Sequence, residues 1–384
     1  MSCRDVKVRA GDASYEVLIG TGLLADVGSL SRNVLVPPPR RILLVADTGL
    51  PDATRDRVAG SLESAGFGTH SVCAIATERE KSIQSFQRLH VEAARFGIDR
   101  GDALVALGGG IVGDLTGFVA ATHRRGVRVI QCPTTLLAMV DASVGGKTGV
   151  NLQADGMLLK NFVGSFHQPE RVIASVEVLE SLDERQFRSG LAECIKHTMI
   201  AGELDPTLGD WTRDNLNAIL SRQDSVLIEL IARNVAIKAS IVASDEHETA
   251  ATGGRALLNL GHTFAHAIET IDTLTPDGDP GNAPLLHGEA VALGLIAAAS
   301  AARQMKLVGD DFVRTTIEMV ADAKLPTQIS HLPDTDQILG RMTHDKKSLG
   351  GVMRAVLPIG PGQCKTVETP PLDALRCGID SIRA

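Results

Sequence analysis

The chain has 384 residues, more than one hydrophobic core usually organises, so two domains are expected. Its apolar (44%) and charged (22%) fractions are those of an ordinary globular protein, and every apolar run is broken by a charge, Gly or Pro before it could span a bilayer. A formal net charge of −8 and an aromatic content of 3% argue against nucleic acid, which needs a basic face or stacking rings, and leave an enzyme of small molecules.

The first seventeen residues, MSCRDVKVRAGDASYEV, scatter charges through what a signal peptide would keep apolar, so none is expected. Six cysteines lie far apart with no C-x-x-C, the pattern of reduced thiols in a cytoplasm.

Residues 5 to 19 alternate as a hairpin, with its turn at Ala10-Gly11-Asp12. After the connector VPPPR, the run ILLVA reads as a strand buried on both faces of a parallel sheet. A helix (DATRDRVAGSLESAG), a strand near SVCAIA, a helix (KSIQSFQRLHVEAARFG) and the strand ALVALGGG follow, and VRVIQCPTT repeats the pattern. This alternation predicts a doubly wound α/β domain over 1–180. From 181 to 384 strand-like runs nearly vanish. LAECIKHTMI, DSVLIELIARNVAIKASIVAS, RALLNLGHTFAHAIETI and LHGEAVALGLIAAASAARQM carry apolar residues at helical spacing, which predicts an α-helical domain interrupted by the loop TPDGDPGNAP.

LGGGIVGDLTGF follows a strand and opens a helix, where glycine backbone and helix N-terminus favour a pyrophosphate. Its spacing, Gly108-Gly109-Gly110 then Gly113-Asp114, is not strict G-x-G-x-x-G, so a dinucleotide is favoured but not fixed, with a tight strand-to-helix turn as the alternative. Asp47, ending the first parallel strand, suits a ribose hydroxyl or a helix cap. In CPTTLLAMVDASVGGKTGVN, the G-G-K-T resembles a P-loop, but Asp141 stands where that pattern requires Gly. Asp141 and Lys147 in such a loop suit a polar, phosphorylated small molecule, with Lys160-Asn161 a little further on.

Glu193 and Lys196 are i, i+3 and share a helix face, as a surface ion pair also would. Lys238 and Arg255 frame the approach to NLGHTFAHAIE, and His287 begins the helix of LLHGEA. A catalytic zinc takes three N or O ligands and keeps one position open. Glu193, His262 and His287, on three separate helices, would supply such a set. So would His262 with His266 and a carboxylate, and periodicity does not choose between them.

GGGIVGD, PTTLLAMVDASVGGKTGVN, KN, GLAECIK, R-x-x-L-N-L-G-H-T-F-A-H, L-H-G-E-A and M-x-x-D-K-K occur here in the order seen in 3-dehydroquinate synthases, and the resemblance runs from about residue 40 to 360. It implies an N-terminal NAD-binding, Rossmann-like domain, an all-α C-terminal domain, an active site in the cleft between them, and a homodimer. It also implies conversion of 3-deoxy-D-arabino-heptulosonate 7-phosphate to 3-dehydroquinate, a step of the shikimate pathway toward chorismate and the aromatic amino acids. In that family a ring alcohol is oxidised by NAD+, phosphate is eliminated, the ketone is reduced, and the opened ring closes by an aldol step. A divalent metal, zinc or cobalt, holds the reacting hydroxyls and polarises the carbonyl.

Residue by residue, the resemblance implies Glu193, His262 and His287 as metal ligands and turns His266 toward the substrate. Lys147, Lys160, Asn161, Arg255 and Lys346 would hold phosphate, with Arg125 reaching in from a second subunit. Asp141, Lys196, Lys238 and Asn259 would take the carboxylate and hydroxyls. Asp47, Glu78, Lys81, Gly109, Gly110, Asp114, Thr134 and Thr135, with Lys147, Lys160 and Ser181, match NAD-side positions. The chain departs from the family pattern Thr-Leu-Pro-x-Arg-Glu-Phe at SLDERQF, where Ser181 and Gln186 replace Thr and Glu. Three extra residues separate Lys238 from Arg255, and the 275–284 loop is longer than usual. The rival readings are a sibling cyclase making an inosose or 2-epi-5-epi-valiolone, a metal-dependent polyol dehydrogenase, and a non-enzymatic NAD-binding regulator. The many anion-binding lysines and arginines speak against the last two.

Overall fold

Residues 41–47 form a strand whose side chains alternate between two cores. Leu43 and Val45 enter one apolar cluster, while Ile42, Leu44 and Ala46 enter another on the opposite face. A strand buried on both sides needs apolar residues at every position, which is why this run lacks the polar alternation of a surface strand. The computed structural model describes residues 3–11, 13–154, 157–246, 248, 253–347 and 353–384, without the side chains of 157 and 343–347.

The chain divides into two compact units, Met1–Leu182 with Arg222–Ala243, and Asp183–Ser221 with Ser244–Ala384. In chain order the first part holds β1 (Cys3–Ala10), β2 (Ala13–Gly20), α1 (Val27–Val34), β3 (Arg41–Asp47), α2 (Asp52–Ser64), β4 (Gly68–Ala74) and α3 (Ile83–Phe96). It continues through β5 (Ala103–Gly108), α4 (Gly110–Thr122), β6 (Arg128–Pro133), β7 (Lys147–Ala154), β8 (Met157–Phe166) and β9 (Arg171–Ser175). Then come α5 (Glu184–Ile200), α6 (Leu208–Asp214), α7 (Leu216–Leu220), α8 (Asp224–Ser244), α9 (His262–Glu269) and α10 (His287–Gln304). The chain closes with α11 (Asp310–Asp322), α12 (Thr335–Lys347), the hairpin β10 (Arg354–Gly360) and β11 (Gln363–Glu368), and α13 (Leu372–Ser381).

The first unit is built on a seven-stranded sheet in the order β1-β2-β9-β6-β5-β3-β4, parallel except for the β1–β2 hairpin. The expected N-terminal hairpin is there, although Asp12 of its turn lies outside the described residues. Around β3 the order reverses, with β4 on one side and β5 on the other, so the carboxyl ends of β3 and β5 flank the switch point where open α/β sheets bind ligands. β7 and β8 pair as a separate two-stranded ribbon. The sequence shows no such ribbon: residues 145 to 151 read as a glycine-rich loop because the strand begins at Lys147 behind two glycines.

The second unit is helical apart from β10–β11. Its axis is α10, whose stretch from Gly288 to Ala302 is buried throughout and packs on α5, α9, α11 and α13. A helix apolar on every side belongs in a core. Residues 255–271, which read as one helix, are a 3-10 turn (Gly254–Asn259) followed by α9. Gly261 makes the break with φ +78, and a Cβ on Gly294 of α10 would lie 2.3 Å from the Gly261 carbonyl oxygen. Close approach of the two backbones, rather than periodicity, decides where α9 starts. Among the described residues no helix is long and apolar enough to cross a membrane.

Candidate functional site

In the first unit, β5 ends at Gly108 and α4 begins at Gly110, with Gly109 as an N-cap that has no side chain to cap the helix. The leading N–H groups of α4 are therefore open to an anion beside the switch point. The glycines further along serve packing. A Cβ on Gly113 would come 2.8 Å from the Gln131 side chain of β6, and one on Gly117 would come 2.4 Å from Thr148 of β7. Thr134 donates its N–H to Gly108 O at 3.0 Å, and the Thr135 hydroxyl accepts from the Ala138 N–H at 3.2 Å, so this second turn braces the first. Asp47 accepts the Gly49 N–H through Oδ1 at 2.9 Å, and Glu78 accepts from Asn151 Nδ2 at 2.9 Å.

Lys81, almost fully buried, pairs with Asp114 Oδ2 at 2.6 Å and also donates to Asn161 Oδ1. Burial raises the Asp114 pKa, and Lys81 opposes that shift. Lys160 stands 3.9 Å from Glu78. Asp141 sits in one turn of π-helix, Ala138–Ala142, a form often found at functional sites. It accepts from Lys238 of α8 through both its carbonyl (2.7 Å) and Oδ1 (2.6 Å). Two left-handed glycines, Gly145 and Gly146, then deliver Lys147 to the start of β7. The Gly145 N–H donates to the Tyr15 hydroxyl at 2.9 Å, a brace from β2 that the motif did not announce. Arg125 is exposed on a turn with φ +70, and the Ser181 hydroxyl donates locally to Val178 O.

In the second unit, three elements converge. Glu193 lies mid-way along α5, His262 opens α9 and His287 opens α10, and their ligand atoms all lie within 4.8 Å of one another. Nε2 of His262 and of His287 stand 3.6 and 3.5 Å from Glu193 Oε1. Lys196, one turn on, ion-pairs with Glu193 Oε2. Burial opposes ionisation of Glu193, but Lys196 and then the imidazoles outweigh it and hold the carboxyl well below its usual range. Burial, then Lys196, pushes His262 down to about 3. That ring is thus neutral, and with Nδ1–H donated to Leu260 O at 3.1 Å its Nε2 lone pair faces the carboxylate. Burial opposes protonation of His287 too, but Glu193 and Glu269 lift it to about 10.

A carboxylate oxygen and an imidazole lone pair 3.6 Å apart repel unless a cation lies between them. Among the described residues, neither buried Glu193 oxygen accepts a well-formed hydrogen bond. This donor set, one carboxylate and two imidazoles without thiolate, fits a divalent ion with one position open. His266 stands edge-on to His262 with ring centroids 5.4 Å apart, but it is exposed and outside the trio.

The remaining residues of this unit surround the same stretch. Arg255, 1% exposed, donates to Glu246 O at 2.7 Å. Asn259 Nδ2 donates to Glu248 Oε1 at 2.8 Å. Lys346 belongs to α12, but its side chain lies outside the described residues. The SLDERQF departure extends further than Ser181 and Gln186. Where the family pattern has Pro, Asp183 caps α5, accepting from the Arg185 and Gln186 N–H groups at 2.9 and 3.2 Å. The cap keeps the helix start that Pro would otherwise provide. Sequence reasoning also passed over Arg185, which forks both nitrogens onto Glu289 at 2.6 and 2.7 Å and ties α5 to the start of α10.

Comparison with known proteins agrees with this architecture. Residues 71–189 match the 3-dehydroquinate synthase N-terminal family and residues 190–348 its C-terminal counterpart. A 3-dehydroquinate synthase of Acidithiobacillus ferrooxidans is 42% identical over 369 residues, 96% of this chain and 95% of that protein. One from Symbiobacterium thermophilum is 38% identical over 374 residues, 97% of this chain and 99% of that protein. Among solved structures, a 2-deoxy-scyllo-inosose synthase complexed with carbaglucose-6-phosphate, NAD+ and Co2+ superposes with TM-score 0.84 at 25% identity, covering 99% of this chain and 100% of that one. A 2-epi-5-epi-valiolone synthase of Streptomyces hygroscopicus shares the fold at TM-score 0.81 and 23% identity over 97% and 98% of the two chains. Near-complete coverage of curated relatives, matches to both halves of one family, and the site motifs in their order lead to one assignment: the chain belongs to the 3-dehydroquinate synthase family.

Proposed function

We propose that the protein converts 3-deoxy-D-arabino-heptulosonate 7-phosphate to 3-dehydroquinate and phosphate, as its family does, with NAD and a divalent ion such as Zn2+ or Co2+ bound. The observation that carries this reading is the convergence of Glu193, His262 and His287 with Lys196 alongside. These three residues would hold the ion, which supplies a Lewis acid for a hydroxyl or carbonyl of the substrate. The open N-terminus of α4 at Gly109 and Gly110 would seat NAD, a reversible hydride acceptor, with Asp47, Glu78, Lys81, Asp114, Thr134, Thr135 and Ser181 as its further contacts.

Lys147, Lys160, Asn161, Arg255, His266 and Lys346 would bind the substrate phosphate, with Arg125 supplied by a second copy in a homodimer. Asp141, Lys196, Lys238 and Asn259 would bind its carboxylate and hydroxyls. The preset Lys238–Asp141 pair fits a binding group that must orient an anion, because the lysine is already desolvated and held by two acceptors. An acidic protein, net −8, holds a sugar acid with two anionic groups, carboxylate and phosphate, by keeping its positive charge local. The expected working compartment is the cytoplasm, with neither membrane nor nucleic acid as a partner.

The test is direct. Purified protein with NAD+ and Zn2+ or Co2+ is given the heptulosonate phosphate, and phosphate release is measured together with 3-dehydroquinate. Turnover of sedoheptulose 7-phosphate instead would move the protein to the sibling cyclases, whose fold it shares. Steady accumulation of NADH would point to a polyol dehydrogenase, since the cyclase returns its hydride within each turnover.

A further inference from the structure

α9 carries His262 at its first residue and Glu269 at its last, seven positions on, so both project from one face of the helix, two turns apart. Glu269 is 9% exposed, and its Oε2 lies 3.4 Å from Nδ1 of His287. The other nitrogen of that imidazole, Nε2, faces Glu193 at 3.5 Å. Burying a carboxylate costs free energy unless its charge has a task. Here the carboxylate stands behind a ring whose front belongs to the trio.

The other two members of the trio are each fixed from behind. His262 is held through Nδ1 by Leu260 O at 3.1 Å, and Glu193 is held by Lys196. We propose that Glu269 is the positioning residue for His287: it accepts the Nδ1–H, fixes the tautomer and the ring plane, and thereby keeps the Nε2 lone pair directed at the ion. Carboxylate–histidine–metal relays act in this way in other metalloproteins. The inference rests on the reading of Glu193, His262 and His287 as metal ligands. It adds that one short helix furnishes a ligand at one end and the support of another ligand at the other.

The experiment is a competition titration of chelator-stripped, full-length protein with Zn2+ against a chromophoric chelator, for wild type, Glu269→Gln and Glu269→Ala. Visible spectra of the Co2+-loaded proteins and NAD+ binding are recorded alongside. The expected result is Zn2+ affinity weakened about 10- to 100-fold in E269A and less in E269Q, whose amide oxygen still accepts the Nδ1–H. The Co2+ spectrum should change in E269A while NAD+ affinity stays as in wild type. A residue that merely supported the helix would lower the melting temperature equally with and without Zn2+, whereas a positioning residue shrinks the gap between the two. Wild-type Zn2+ affinity and an unchanged Co2+ spectrum in E269A overturn the proposal. If E269A does not fold, E269Q decides through the smaller loss expected of it: a Zn2+ affinity weaker than wild type supports the proposal, and one equal to wild type overturns it. A wild type that takes up no ion overturns the ligand reading and the proposal with it; a wild type that loads while the variants load as tightly overturns only the role of Glu269.

Discussion

Glu193 concentrates the chemistry of the second unit in one fully buried carboxylate that Lys196 keeps ionised. Glu193→Gln keeps the shape and removes the charge, leaving two imidazoles as donors. The expected outcome is loss of bound metal, measured by elemental analysis, together with at least a hundredfold loss of activity. Retained metal would return the choice to the His262 and His266 pair. This trio was legible in the sequence only as three candidates on separate helices, because spacing within a helix says nothing about how helices meet. The resemblance to a family, not periodicity, selected among them. Tyr15 was not legible at all, since a lone tyrosine in an alternating strand reads as core. Its hydroxyl accepts the Gly145 N–H, so Tyr15→Phe removes that acceptor from the turn that precedes Lys147. A loss of about 1–3 kcal/mol in urea unfolding is expected. KM for the phosphorylated substrate should rise while the metal content stays the same.

Glycine sets the spacing of the elements that carry Glu193, His262 and His287. α10 meets α5 where a Cβ on Gly288 would lie 1.9 Å from Ser189 O, and it meets α9 where one on Gly294 would lie 2.3 Å from Gly261 O. Both contacts are backbone against backbone, and neither side yields cheaply. Gly294→Ala should therefore push α9 from α10, cost about 1–3 kcal/mol by overpacking, and weaken Zn2+ binding, as unfolding and metal titrations would show. In sequence Gly294 appears only as a break in an alanine-rich helix. The helices themselves were plain from the apolar spacing, and the parallel strands from their unbroken apolar runs. The β7–β8 ribbon and the short α9 were hidden for one shared reason: their boundaries are set by glycines at positive φ, which a period of two or 3.6 does not register.

Across the molecule the cysteines divide by environment. Cys132 in β6 and Cys364 in β11 are pushed up to about 12 by burial, whereas Cys3 and Cys73 are exposed. A thiol whose folded pKa exceeds its unfolded one, near 8.5, contributes stability that is complete below about pH 8.5 and is lost as pH rises toward 12. The fully buried Cys132 should therefore remove about 1.4 kcal/mol of stability per pH unit in that window, and the partly exposed Cys364 less. Urea unfolding at pH 7.5 and 9.5 tests this, and Cys132→Ala should flatten the slope whatever it does to the absolute value. Alkylation at pH 8 followed by mass spectrometry should mark Cys3 and Cys73 well before Cys132.

The first unit is not continuous along the chain: it closes on Arg222–Ala243 after Asp183–Ser221 has departed to the second. Its sheet likewise waits for β9, which pairs with β2 some 150 residues earlier in the chain (Glu16 with Arg171). On the ribosome, therefore, neither unit finishes before the other has begun. Contacts of such long sequence separation slow folding and leave sheet edges unpaired while synthesis proceeds. A fragment cut at residue 180, the boundary that the sequence suggests, lacks the helix that carries Lys238 and so leaves the first unit without Arg222–Ala243.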